Sequence, residues 1–255
     1  MLLAPIVPLL PRLVGARLLD AATAALAWLL LERGVPVMVA GGEAAVADAL
    51  LDALVSSLPR DRRPDPGLGV GGDRLVRVAG RVEADSPPGI LRAALGATTG
   101  RSGLAVAIGA DDLEGVLTAL RGQGLTDDEV SFMGVVLVLG TRDGSRGAGA
   151  RPGAPPDAGA TRPGDGPPDE AAASARLLAA HYLRPVVLDA GGHPRRLPPA
   201  VLATWDPATD AWDDYAWGLT ADLAERTRMR LGDFEAECAR RAADLIQHAS
   251  GRPVG

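Results

Sequence analysis

The sequence predicts an α/β fold, in which a parallel sheet is flanked by helices and followed by a C-terminal antiparallel strand pair and a helix. Short apolar runs typical of buried strands alternate with amphipathic helical segments between residues 20 and 139. Turn residues then separate apolar runs within residues 177–217, as expected for antiparallel strands. The 255 residues, 47% of them hydrophobic, are enough for one large α/β domain.

The predicted helices have recognisable ends. One helix is expected to follow Asp20 as its N-cap and to stop at Gly34. Further helices are predicted after Asp112 and after Thr126, where an acidic first turn favours a helix N-terminus. A final helix is predicted from Asp233 to about residue 249, and its two arginines at 240 and 241 are expected to face outward. The strands are predicted at residues 37–39, 74–79, 104–108 and 134–139.

Three segments are predicted along the chain. Residues 1–140 form the alternating α/β core, and residues 173–255 contribute strands and a helix that complete it. Between them, residues 141–172 are rich in glycine, proline, alanine, aspartate and arginine, with almost no large apolar side chain. Such a composition cannot bury enough surface to order itself, so this segment is predicted to be a disordered linker.

Composition excludes several classes of protein. The net charge of −6 argues against a general nucleic-acid-binding protein, which takes most of its affinity from a basic surface. All 26 basic residues are arginine, so no lysine of this chain can contact a phosphate or form a Schiff base.

The expected location is the cytoplasm. The single cysteine, Cys238, cannot form an internal disulfide. The apolar start lacks a basic region and is interrupted by Pro5, Pro8 and Pro11, which is unlike a signal peptide. The longest uncharged run near it, residues 21–31, is about half of a bilayer span, so no transmembrane segment is expected.

The stretch VPVMVAGGEAAVADALLDALVSSL, residues 35–58, has the order of elements of a P-loop. An apolar strand leads into a glycine turn, and an amphipathic helix follows. If Gly41 is the first glycine of G-x-x-x-x-G-K-[ST], the last three motif positions hold Val46, Ala47 and Asp48. The candidate nucleotide-binding residues of this degenerate P-loop are Gly41, Gly42, Glu43, Ala44, Ala45, Val46, Ala47 and Asp48.

These substitutions remove the chemistry of the motif. A P-loop aims backbone N–H groups at phosphate, adds a lysine charge and holds magnesium through a hydroxyl. Restoring glycine, lysine and threonine at positions 46–48 is expected to restore nucleotide binding if the segment keeps P-loop geometry. The alternative is an ordinary strand–turn–helix unit unrelated to a P-loop.

Two further segments, TTGRSGLAVAIGADD (residues 98–112) and WDPATD (residues 205–210), complete a resemblance. In their order and spacing, the segments resemble the ATPase core of the type II and type IV secretion and type IV pilus assembly family. The resemblance covers residues 20–139 and, more weakly, residues 183–217. Arg101 and Gly109 replace two histidines of the family motifs, and Arg101 joins the candidate nucleotide-binding residues. The family's Walker B glutamate has no clear counterpart, although Arg81, Glu83 and Asp85 lie near its place.

The resemblance implies a P-loop NTPase-like fold whose nucleotide-contacting positions are eroded while its packing pattern survives. It therefore implies a non-catalytic pseudo-ATPase that acts as an assembly or regulatory subunit, without a cofactor, without catalytic residues and without ATP hydrolysis. Its expected partners are an active ATPase paralogue or other secretion or pilus components. A homo-oligomer is a further expectation. The expected location is the cytoplasm, either free or peripheral at the inner membrane.

Two alternatives stay open at this point. The first is a weak secretion ATPase that binds or hydrolyses ATP with magnesium, using Arg77, Arg81 and Arg101 for positive charge. The second is an unrelated α/β binding domain. No metal site is predicted, because the three histidines lack ligand spacing. The aromatic residues Trp205, Trp212, Tyr215 and Trp217 are expected to serve packing.

Overall fold

The computed structural model describes residues 9–64, 75–83, 85–98, 103–142, 174–189 and 191–250. The linker prediction falls outside these ranges except at Thr141 and Arg142, and Arg101 also lies outside them. In chain order the elements are α1 (Leu9–Gly15), α2 (Ala21–Glu32), β1 (Val37–Gly41), α3 (Ala44–Ser56), β2 (Val76–Val82), α4 (Ile90–Ala97), β3 (Leu104–Ile108), α5 (Leu113–Gly122), α6 (Asp127–Phe132), β4 (Val135–Thr141), β5 (Ala175–Tyr182), β6 (Val187–Leu188), β7 (Pro194–Arg195), β8 (Ala200–Asp206), β9 (Ala211–Asp214), a 3-10 turn (Ala216–Leu219), α7 (Thr220–Arg226) and α8 (Leu231–Ala249).

Seven of these strands form one mixed sheet in the order β2-β3-β1-β4-β5-β8-β9. The first four are parallel, and β5, β8 and β9 each run antiparallel to their neighbours. The predicted α/β class is confirmed at this level. The predicted pair of antiparallel strands is three strands in the main sheet, and the turn around Gly191 belongs to a separate hairpin of β6 and β7.

Two helical layers cover the parallel strands. In β1, Val37 and Val39 join the apolar cluster beneath α1, α2, α3, α7 and α8, whereas Met38 and Ala40 join the cluster beneath α4, α5 and α6. Every residue of β1 is buried, as expected for a central strand that is covered on both faces. None of the described helices combines the length and apolar character needed to cross a membrane.

The predicted N-caps of α2, α5 and α6 are confirmed. Asp20 accepts hydrogen bonds from the N–H groups of Ala22 and Thr23, at 2.8 and 2.9 Å, and α2 ends before Gly34, whose φ is +85°. Asp112 caps α5 by accepting from Gly115 N–H at 2.8 Å. Thr126 and Glu129 form a reciprocal capping box on α6. A side-chain cap of this kind stabilises a helix by about 1 kcal/mol, and its partners are only a few residues away in sequence.

The last helix differs from its prediction in its N-terminus, which is not at Asp233, and in the position of Arg241. It begins at Leu231 with Arg230 as N-cap, and Arg241 is buried, with 4% of its surface exposed. The guanidinium donates to Glu32 on α2 at 2.7 Å and to Glu237 at 2.8 Å, and it lies over the ring of Trp28 at 4.2 Å. The outward prediction for Arg241 was therefore wrong, because α2 supplies a carboxylate and an aromatic face opposite this position.

Acid is expected to weaken the ion pairs that Glu237 forms with Arg240 and Arg241 within α8. Hydrogen bonding from Arg240, opposed by partial burial and reinforced by Arg241, lowers the pKa of Glu237 from 4.5 to about 2. A depressed folded-state pKa stabilises the fold above the unfolded value of 4.5, and this contribution is lost as the pH falls from 4.5 towards 2. We expect a loss on the order of 1–2 kcal/mol, since the side chain stays partly hydrated.

Urea unfolding of the parent and of Glu237→Gln across this pH window measures the effect. The parent should be the more stable protein above pH 4.5, and the difference should shrink as the pH falls through the window. A difference that does not change with pH would contradict the assignment to this carboxylate.

Candidate functional site

The place between the carboxyl ends of β1 and β3 is a switch point of the parallel sheet, here called the crevice. The connection that leaves β1 enters α3 on one face of the sheet, and the connection that leaves β3 enters α5 on the other. In open α/β sheets, ligands bind where neighbouring connections diverge in this way. The predicted site residues of the glycine turn lie at this crevice, together with Glu83 after β2 and Gly109 after β3.

The two glycines of the turn have a packing function. Gly41 and Gly42 have φ values of +74° and +62°, which favour glycine over other residues. A Cβ atom at Gly41 would lie 2.2 Å from the carbonyl oxygen of Leu139 on β4, and one at Gly42 would lie 3.1 Å from the Leu139 side chain. Close approach to β4 therefore accounts for both glycines without any phosphate.

Helix α3 begins inside the segment that the P-loop motif assigns to its loop. It starts at Ala44, so five of the eight candidate motif positions lie inside the helix. The N–H groups of Val46 and Ala47 donate to the Glu43 carbonyl at 3.0 and 3.1 Å, and both side chains are buried at 1% exposure in the core. These N–H groups are engaged in the helix, and position 47 faces the core.

Asp48, at the candidate hydroxyl position, is held by a basic residue of β2. Arg77 Nη2 lies 3.0 Å from Asp48 Oδ1 and 3.7 Å from Asp52 Oδ1, and Arg77 Nη1 donates to the Val78 carbonyl at 2.8 Å. This ion pair joins α3 to the edge strand. Arg77, considered as a source of charge for a nucleotide, is thus committed to a contact within the chain.

Arg81 and Glu83 occupy the mouth of the crevice. Arg81 Nη1 donates to the carbonyl oxygen of Gly42 at 3.2 Å, and its Nε lies 3.3 Å from Glu83 Oε1. The Glu83 carboxylate fills the space beside Gly109, where a Cβ atom would lie 1.7 Å from Glu83 Oε2. A histidine side chain, which the family resemblance puts at position 109, would therefore collide with this carboxylate.

Together these contacts describe a crevice whose charges are paired within the chain. A bound phosphate would have to compete with Glu83 for Arg81 and would meet the Glu83 carboxylate itself. From the sequence, Glu83 was named only as a neighbour of a missing glutamate, whereas Arg81 was also considered as a source of positive charge for ATP. The signal that could have located them is an acidic residue directly after a strand of the parallel sheet, since parallel strands end at a common edge.

The turn between β8 and β9 lies at the same edge of the sheet and carries a cluster around Asp210. This carboxylate accepts from Trp205 Nε1 at 3.1 Å and Arg176 Nε at 3.3 Å, and Arg142 and Arg17 approach it at 3.4 and 3.6 Å. Burial raises the pKa of Asp210, but these hydrogen bonds and charges outweigh it and hold the pKa below its usual value. The cluster ties the turn to the strands and to the end of α1.

Within the described ranges, no group of three or more histidine, cysteine, aspartate or glutamate side chains is arranged to hold a metal ion. His181 lies on β5, and burial lowers its pKa, which favours the neutral ring. Comparison with known proteins found no matching family model and no matching curated protein.

Proposed function

We propose that this chain is a non-catalytic pseudo-ATPase of the type II and type IV secretion and pilus assembly class, acting as an assembly or regulatory subunit. The proposal comes from the sequence resemblance and does not rest on a family match. Three segments that were matched to the family one by one along the sequence support it by lying side by side. They are the glycine turn, the strand expected to carry Walker B, and the strand after residues 98–103. These correspond to β1, β2 and β3, whose carboxyl ends share one edge.

The loss of nucleotide chemistry is inferred from one observation. Arg81 and Glu83 close the crevice by contacting Gly42 and by filling the space beside Gly109. The crevice in which the family would hold phosphate is occupied by the chain's own ion pair. The alternative of a weak ATPase that uses Arg77 and Arg81 is less favoured, because carboxylates already neutralise both guanidiniums.

The expected result is that ATP with magnesium does not bind at micromolar affinity. Thermal melting with and without the nucleotide measures this, since a ligand present at about 100 times its Kd adds roughly 2.7 kcal/mol of stability. A secretion ATPase with an intact G-K-[ST] motif, measured in the same buffer, is the positive control. A clear shift for the parent chain would contradict the proposal.

The variant Glu83→Ala distinguishes a closed crevice from one that never fitted a nucleotide. Removing the carboxylate releases Arg81 and opens the space beside Gly109. Weak binding of ATP by this variant alone would show that Glu83 blocks the crevice. The matched control is Glu114→Ala on α5, which removes a carboxylate outside these contacts.

The assembly role has its own test. Co-expression with an ATPase of this class that has an intact motif, encoded in the same genome, should yield a complex that co-elutes on a sizing column. Separate elution of the two proteins at micromolar concentrations would count against a mixed assembly, whatever the nucleotide result.

A further inference from the structure

A cavity of about 290 Å³ opens at the β9 end of the sheet, between α2, the 3-10 turn, α7 and α8. Its floor consists of Leu26, Leu202, Leu223 and Phe234, each at most 7% exposed. Cys238, Ala239 and Ala242 on α8 form one wall. None of the residues that close the crevice at β1 lines this cavity, so it is a separate site.

The two threonine hydroxyl groups that line the cavity donate hydrogen bonds within the chain. Thr23 Oγ1 donates to Asp20 Oδ2 at 2.6 Å, and Thr220 Oγ1 donates to the carbonyl oxygen of Trp217 at 2.9 Å. A polar group seated between these walls would lose its water without gaining good partners, which costs free energy. The part of a ligand that enters the cavity must therefore be apolar.

The apolar surface continues beyond the cavity. Trp217 lines the mouth and is 79% exposed, and Tyr215 and Leu231, which flank lining segments, are 45% and 47% exposed. Tryptophan and tyrosine in such positions are enriched where proteins bind one another. The cavity is also at the small end of small-molecule sites, which span about 300–1,000 Å³. An apolar side chain of a partner protein fits this combination better than a free small molecule.

The charged residues on the rim have one sign. Among the described residues that line the cavity, only Asp214 and Glu235 are charged, and both are exposed carboxylates. One oxygen of Asp214 accepts from Ala216 N–H at 2.8 Å, which fixes the carboxylate at the mouth. A partner that places a cation here would gain from complementary charge, and an anion would be repelled.

We propose that this cavity is a docking site for a partner segment that inserts a bulky apolar side chain and places arginine or lysine beside Asp214 and Glu235. An amphipathic helix with leucine on one face and basic residues beside it has this chemistry. The proposal goes beyond the pseudo-ATPase proposal and does not rest on it, because it holds whether or not the crevice at β1 binds nucleotide.

Three fluorescein-labelled peptides of about 14 residues test this chemistry. The first presents leucine on one helical face with arginine beside it; the second replaces its arginines with glutamate, and the third replaces its leucines with serine. Fluorescence anisotropy with the full chain should show binding of the first peptide and binding weaker by about tenfold or more for the other two.

Cys238, the only cysteine of the chain, reports on the site itself. Burial raises the pKa of its thiol to about 11, so alkylation is slow at neutral pH and is best followed under mildly alkaline conditions. The leucine and arginine peptide should slow this alkylation, because it covers the α8 wall. An unchanged rate in the presence of saturating peptide would place the peptide elsewhere and overturn the proposal.

Three variants with changes at exposed positions test the site. Ala239→Trp should fill the mouth and abolish binding, whereas Ala243→Trp, one turn further along α8 and outside the lining, should bind as the parent does. The double change Asp214→Lys and Glu235→Lys should reverse the preference towards the glutamate peptide. Circular dichroism melting confirms that each variant is folded.

Two outcomes would overturn the proposal. One is equal binding of the arginine and glutamate peptides to the folded parent. The other is a concentration-dependent dimer of the parent that Ala239→Trp abolishes, which would make a second copy of this chain the occupant instead.

Discussion

Replacing Ala47 by lysine is expected to destabilise the folded chain by about 3–5 kcal/mol. Ala47 is 1% exposed and lies in the apolar cluster beneath α3. A lysine charge in this position would lose its water without a partner, or would force the helix away from the sheet. The loss is measured as a lower urea midpoint of unfolding. The slope of the unfolding free energy against urea concentration should stay unchanged.

Ala45→Lys is the matched control, since Ala45 is exposed on the same turn of α3. Its effect should stay within about 0.5 kcal/mol, as is usual for surface substitutions. If Ala47→Lys were as stable as Ala45→Lys, the residue at 47 would face solvent and the loop before α3 would be longer than the structure shows.

This result bears directly on restoring the P-loop motif. The triple change Val46→Gly, Ala47→Lys and Asp48→Thr puts glycine within a helix and a charge in the core, and it removes the carboxylate 3.0 Å from Arg77. From the sequence we expected the triple change to create nucleotide binding. The structure leads us to expect loss of stability, because helix α3 already occupies those positions.

Arg241→Ala is expected to cost about 3 kcal/mol, towards the lower end for breaking a buried ion pair. The change leaves Glu32 and Glu237 without the guanidinium that lies 2.7 and 2.8 Å from them, and it uncovers the ring of Trp28. Both carboxylates retain partial contact with water, 20% and 25% of their side chains being exposed, which limits the cost. Thermal or urea unfolding measures it.

Arg240→Ala separates this effect from a general loss of charge on α8. Arg240 pairs with Glu237 and Asp244, but it is exposed, and exposed ion pairs contribute roughly 0–1 kcal/mol. The Arg241 variant should therefore unfold at a clearly lower urea concentration than the Arg240 variant. Equal midpoints would show that the contact between Arg241 and α2 contributes little.

Local patterns account for the parts of the fold that the sequence predicted well. The Asp20, Asp112 and Thr126 caps act on N–H groups two or three residues away, so their effect can be read from neighbouring residues. The runs that became β1, β3 and β4 are continuously apolar because both faces of these strands are covered.

The crevice was only partly predictable. The glycine turn was located correctly after β1, but its reason, the approach of Gly41 to Leu139, depends on which strand lies beside β1. The contacts of Glu83 with Arg81 and with the space beside Gly109 likewise depend on the pairing of β2 with β3. The periodicity of a single segment does not predict which strands lie side by side in the sheet.

The sequence by itself determined the α/β class, the succession of strands and helices between residues 20 and 139, the caps at Asp20, Asp112 and Thr126, and the absence of lysine chemistry, because each follows from composition or from residues close along the chain. Only the tertiary structure decided that Ala47 faces the core, that Arg241 is buried against Glu32, and that Trp217 borders a cavity with an acidic rim. These outcomes depend on which helix packs on which face, and segments distant in sequence supply the partners.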